Sequence, residues 1–151
     1  MWLPITQFMS APAYFLEASP YITLTEPAMA RDVISVSTYN AANNSFYIDS
    51  GRGFTRDNVI APDFAAPGVD ISTLRGRETG SSLAAAMTAG AVAQFLQWAV
   101  VERNNQIVAG REIKNYFVRG ASRSGELSYP NREWGYGRLN VVGTFDALIG
   151  V

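Results

Sequence analysis

Gly80-Ser81-Ser82-Leu83-Ala-Ala-Ala-Met-Thr-Ala-Gly-Ala-Val-Ala-Gln-Phe-Leu-Gln-Trp-Ala-Val-Val101 is the stretch that decides the fold. From Leu83 onward it reads as a long apolar helix that begins where extended chain ends. A serine at such a start sits beside free backbone N–H groups and the positive end of the helix dipole. That environment can hold a developing oxyanion, which makes Ser82 a candidate nucleophile. The plainer reading is a helix cap, a position serine commonly fills before an apolar helix. A serine nucleophile also needs an adjacent base, and the chain contains no histidine.

The same stretch is long enough to cross a bilayer by length alone. Thr88, Gln94 and Gln97 interrupt it, its first half is rich in Ala and Gly, and no basic flank marks an inside end. A helix buried all round inside an α/β core is therefore expected, and no membrane partner. The chain of 151 residues is long enough for one domain with a core. Its 48% hydrophobic and 17% charged residues argue for a globular domain over disorder. A net charge of −1 with no basic stripe gives no support for nucleic-acid binding. Without cysteine or histidine, a zinc site has no ordinary ligands, and no metal or cofactor is expected. The N-terminus lacks the pattern of a signal peptide.

Outward from the helix, Asp32-Val-Ile-Ser-Val-Ser-Thr-Tyr39 reads as a strand closed by the turn Asn40-Ala-Ala-Asn-Asn44. Residues 45–49 form a short hairpin arm, and residues 51–57 a polar loop. Residues 59–68 combine a short strand with a sharp bend. Residues 69–73 make another brief strand, and residues 74–79 a polar approach to the serine. Proline spacing in residues 1–26 suggests an edge strand and irregular connection. Downstream, residues 110–119 read as an amphipathic helix presenting Ile113, Tyr116 and Phe117 on one face. Residues 121–132 are loop-like, and residues 141–149 form a last helix.

Two motifs in order carry a family resemblance. Pro62-Asp63-Phe-Ala-Ala66-Pro67-Gly68 is followed by Gly80-Ser81-Ser82-Leu83-Ala84-Ala85-Ala86-Met87-Thr88-Ala89-Gly90. These resemble, without internal gaps, the Pro-Asp-x-x-Ala-Pro-Gly turn and the Gly-Thr-Ser-(Met)-Ala-x-Pro-His-x-Ala-Gly segment of subtilisin-like serine peptidases. Val33-Ile34-Ser-Val36, Trp134-Gly135-Tyr136-Gly137 and Leu139-Asn140 extend the match. Trp2-Leu-Pro-Ile5, residues 111–120 and Tyr129-Pro130-Asn131-Arg132-Glu133-Trp134-Gly135 look like clostridial subtilases with an inserted β jelly roll.

The resemblance implies an α/β fold: the C-terminal part of a doubly wound parallel sheet with a buried central helix. Residues 1–24 would be the tail of a preceding inserted β domain and its connection, and residues 25–151 the C-terminal half of the peptidase domain. Ser82 matches the catalytic serine, and its N–H would be one oxyanion donor. Gly80 would permit a tight turn before it. Ala84, Ala85 and Gly90 would let the helix pack closely under the sheet. Ser81 stands where the family has threonine, and Ala86-Met87 replace a structural Pro-His pair. A peptide or protein substrate is implied, and relatives of this kind are spore-associated or cytoplasmic.

The family's catalytic aspartate, histidine and oxyanion asparagine lie N-terminal to everything present. Asp32, Asp49 and Asp63 are not in the context of that aspartate, and there is no histidine for them to orient. Asn40, Asn43 and Asn44 sit in a turn and do not match the asparagine. Lys114 is the one lysine to weigh as an alternative base, and its helix position reads better as solvated surface. Asp63 reads as a contact to the substrate-side loop or as a turn cap. Residues 134–137 read as core packing with close backbone approach. Two functions follow: a serine endopeptidase of which this chain is the nucleophile-bearing half, or a pseudopeptidase or interaction module that keeps the fold. An α/β-hydrolase elbow is excluded because Gly80-Ser81-Ser82-Leu83-Ala84 lacks the second glycine and no histidine follows.

Overall fold

A computed structural model describes residues 6–149. β-branched and small residues build a parallel pair at its centre: β1 (Val36–Asn40) beside β3 (Phe64–Pro67), with Val36 opposite Phe64 and Tyr39 opposite Pro67. β2 (Ser45–Phe46) pairs antiparallel with the end of β1 through the Asn-rich turn, as the sequence suggests. β3 runs into a hairpin of β4 (Ile71–Thr73) and β5 (Gly76–Glu78). This hairpin replaces the plain polar approach read from residues 74–79. Three helices follow, α1 (Ser81–Leu96), α2 (Gly110–Gly120) and α3 (Val141–Ile149), and α1 continues into a π-helical turn at Gln97–Val101. Among the described residues before 27 there is no strand, only a 3-10 turn at Thr6–Phe8. Residues 2–5 of the clostridial resemblance lie outside the described part.

Strand alternation sends side chains to two faces. Val36 and Phe64 join Ala91, Phe95, Ala99, Ile113 and Phe117 in the main core on the helical face. Tyr39 and Ala65 meet Trp134 on the opposite face, where the ring of Trp134 lies 5.6 Å from Tyr39 and 5.7 Å from Phe46. The Trp134 segment thus packs as expected. Gly135 holds φ +53, and a Cβ there would overlap the carbonyls of Pro62 and Asp63, so only glycine lets the segment lie against β3.

α1 is buried along one stripe, Ala84, Thr88, Ala91 and Phe95, rather than on every side. Ala85 and Gly90, expected to pack under the sheet, lie on the outer face, and nothing comes within 4 Å of a Cβ built on Gly90. Met87 (46% exposed) and Leu96 (36%) also lie outside the buried stripe. The physical reason is arithmetic: the strands and helices described here cover one side of α1, and its composition provides apolar residues for two.

Residues 51–57 are a loop whose first five residues are buried or half-buried. Arg52 is buried, its Nε bonds Glu133 Oε1 at 2.9 Å, and its guanidinium stacks 4.7 Å from the Phe46 ring centre. A long charged side chain with a carboxylate partner can thus be an internal strut, which loop composition does not reveal.

Candidate active site

Ser82 is the second residue of α1, after Gly80 as N-cap and Ser81. Its hydroxyl is exposed and makes no hydrogen bond among the described residues, so Ser82 does not cap the helix. The first-turn N–H groups of a helix have no intrahelical partner, and here Leu83 N–H is the first to turn back, onto Gly80 O at 3.1 Å. The hydroxyl therefore stands beside free donors and the positive end of the α1 dipole. Ser82 lines a groove of about 350 Å³ together with Pro27, Val33, Ser35 and Val36.

The approach to Ser82 is strapped to the end of β3. Gly80 N–H donates to Gly68 O at 2.8 Å, and Asp70 N–H donates to Thr79 Oγ1 at 2.9 Å. Arg77 grips Asp70 through Nε and Nη2 at 2.5 and 2.6 Å and holds its carboxyl below the ordinary carboxylate range. Gly80 itself is extended, φ 170 and ψ 155, with open space where a Cβ would stand. The turn read from its sequence position does not require glycine there. The glycine that does lack room for a side chain is Gly68, in the Ala-Pro-Gly bend.

None of the weighed bases or orienting acids touches Ser82 among the described residues. Asp32 is exposed and pairs with Arg111 at 3.3 Å. Asp49 is exposed in the loop after β2. Asn40 and Asn43 accept N–H bonds within their own turn, and Asn44 accepts from Arg138.

Lys114 is not solvated surface. Its side chain is 24% exposed, and Nζ lies 2.8 Å from Asp63 Oδ1 while donating to Val33 O at 3.1 Å. The aliphatic stem beside buried Ile113 and Phe117 lets the ammonium reach the sheet end. Asp63 is 3% exposed as a side chain, and its Oδ2 accepts from Ser35 N–H at 2.8 Å. It does not cap its own turn. It is a buried tie between β3, α2 and the groove wall at Val33 and Ser35. Burial pushes the Asp63 carboxyl up, against the opposing pull of Lys114 and the Ser35 N–H. Helix periodicity put Lys114 outside because Asp63, fifty-one positions earlier, gives no local signal.

This arrangement of strands, bend, hairpin and serine-headed helix has known counterparts. The family model described as Subtilase family, Peptidase_S8, matches residues 19–137, most of the chain. The chain belongs to the subtilase family. Its structure is similar to that of the Clostridium perfringens CspB protease, with a TM-score of 0.83 and 37% identity over 90% of this chain. The self-cleaved protease domain of PatA matches with a TM-score of 0.68 and 24% identity over 87% of the chain. The prenylagaramide maturation protease PagA gives 0.70 and 19% over 85%. The last two are likenesses of fold. The chain spans 31% of the CspB chain and 47% of each of the other two. No curated protein sequence gives a significant match.

Proposed function

We propose that this chain is the nucleophile-bearing part of a serine endopeptidase, in which Ser82 attacks a substrate peptide carbonyl and forms an acyl-enzyme. The observation that carries the reading is the free, exposed Ser82 hydroxyl at the start of a subtilase α1, facing a groove. The Ser82 N–H would be one oxyanion donor. The base that takes the hydroxyl proton, its orienting carboxylate and the second oxyanion donor would come from an N-terminal half outside this sequence. Residues 25–151 would then be the C-terminal half of the peptidase domain, and residues 1–24 the tail of an inserted β domain. The outer face of α1 is the natural seat for the companion half, because covering it completes the burial that the helix composition calls for.

Alone, the chain is expected to show no measurable peptidase activity, because a nucleophile without its base keeps only residual rate. Mixing it with a candidate N-terminal half and assaying a peptide substrate is expected to restore turnover. Ser82→Ala should remove that turnover by roughly 10⁴-fold or more. Rapid labelling of Ser82 by a fluorophosphonate in the isolated chain would overturn the division of the site. A folded complex of both halves with no turnover would favour a pseudopeptidase that keeps the fold. The isolated chain is also expected to self-associate through the uncovered α1 face. Sedimentation as a monomer across the working concentration range would contradict that.

A further inference from the structure

We propose that Gly68 and Thr79 are positioning residues for Ser82, a role that rests on the reading of Ser82 as nucleophile. The Ala-Pro-Gly bend and the serine turn are eleven residues apart in sequence between Gly68 and Thr79, yet they touch at two points. Gly68 O receives Gly80 N–H at 2.8 Å, and Thr79 Oγ1 receives Asp70 N–H at 2.9 Å. Asp70 lies in the left-handed region at φ 56, which aims its N–H back at Thr79, and Arg77 locks its carboxylate. The two residues immediately before Ser81 and Ser82 are therefore both fixed to the end of β3.

Space makes the first of these contacts strict. A Cβ on Gly68 would stand 2.7 Å from Thr38 Cγ2, 2.8 Å from Gly80 O and 3.1 Å from Ala84 Cβ. Gly80 O is the acceptor of the first bond of α1, from Leu83 N–H. Any side chain at residue 68 thus presses on the carbonyl around which the serine turn closes. Thr38 is fully buried and cannot retreat far. Geometric tolerance at a nucleophile is small, and a displacement near 1 Å can cost roughly 10²-fold in rate. Gly68 works by leaving room, Thr79 by holding the hairpin end with its hydroxyl. Neither touches the reacting atoms.

Thr79 is exposed, so Thr79→Val removes the hydroxyl bond with little risk to folding. Gly68→Ala tests the packing, and Gly68→Ala/Thr38→Ser relieves the methyl contact while keeping pressure on Gly80 O. Amide hydrogen exchange of the whole 151-residue chain reads the clamp without any activity. Loosening of the clamp is expected to speed exchange of the bonded Gly80 and Leu83 amides by roughly five- to tenfold in Thr79→Val and in the double variant, and of the Asp70 amide as well in Thr79→Val. Exchange at residues 36–39 and 64–67 should stay unchanged. With the N-terminal half supplied, both variants should lower kcat while leaving KM near the parent value. Unchanged exchange at Gly80 and Leu83 overturns the clamp. Accelerated exchange with an unchanged kcat overturns the positioning role. If no mixture of halves turns over even with the parent chain, the peptidase reading fails, and unchanged or accelerated exchange still decides the clamp.

Discussion

Phe95→Ala is expected to abolish cooperative folding of the isolated chain. Phe95 is fully buried, and its ring lies 5.7 to 6.1 Å from the rings of Trp98, Tyr116, Phe117 and Phe145. It is therefore a side chain at which α1, its π-helical extension, α2 and α3 converge. Truncating a buried phenylalanine costs about 3–5 kcal/mol, the transfer of the ring plus the cavity that remains. Aromatic neighbours held by separate helices cannot all move into one void, which places this site toward the upper end. A typical domain has only about 5–15 kcal/mol in reserve, and a chain with an uncovered apolar helix face lies low in that range. Urea unfolding followed by circular dichroism should show the transition lost or moved close to zero denaturant. Met87→Ala, on the outer face of the same helix, should change stability by about 0.5 kcal/mol or less. Equal losses at the two positions would mean that α1 is covered on its outer side too.

The contrast between Phe95 and Met87 also explains what the sequence could and could not reveal about the fold. The 81–101 stretch announces a helix through composition, and α1 with its extension covers it. Which of its faces is inside is carried by Ala84, Thr88 and Ala91, and a helix apolar on all sides has no amphipathic stripe to read. The same limit applies at the β4–β5 hairpin. Its turn residues Leu74 and Arg75 are not the usual turn formers, and Thr73 Oγ1 supports the bend by donating to Gly76 O. The start of α1 at Ser81-Ser82 was legible because a motif is local. The roles of Gly68, Asp63 and Lys114 were not, because each depends on a partner brought near only by the parallel pairing of β1 with β3 and the packing of α2. The motif points to Gly80, whereas it is Gly68 that lacks room for a side chain, since sequence marks a glycine without showing what stands against it.

Lys114→Met and Asp63→Asn should differ sharply, although they break the same ion pair. Asp63 is 3% exposed and Lys114 24%. Without Asp63, the lysine stem can swing its ammonium toward water, so Asp63→Asn should cost about 1–2 kcal/mol, near the value of its lost hydrogen bonds. Without Lys114, the carboxylate keeps only the Ser35 N–H and has no route to solvent. Removing one partner of a buried pair in this way costs about 3–5 kcal/mol. The direction with pH follows from burial, which raises the folded Asp63 carboxyl above its ordinary value of 3.8. As pH falls toward that value, the folded state takes up the proton before the unfolded state does, so acidification relieves the cost of the buried charge. Loss of Lys114 removes a group that opposes this rise, so the relief should be larger in Lys114→Met than in the parent. Urea titrations at pH 7.5 and at pH 4.5 should therefore find Lys114→Met far below the parent at the higher pH and closer to it at the lower. Asp63→Asn/Lys114→Met should lose this pH-dependent recovery and lie near Asp63→Asn in stability. Equal costs for the two single variants, with no narrowing at pH 4.5, would mean that Asp63 is solvated and that Lys114 alone holds the Val33 wall of the Ser82 groove.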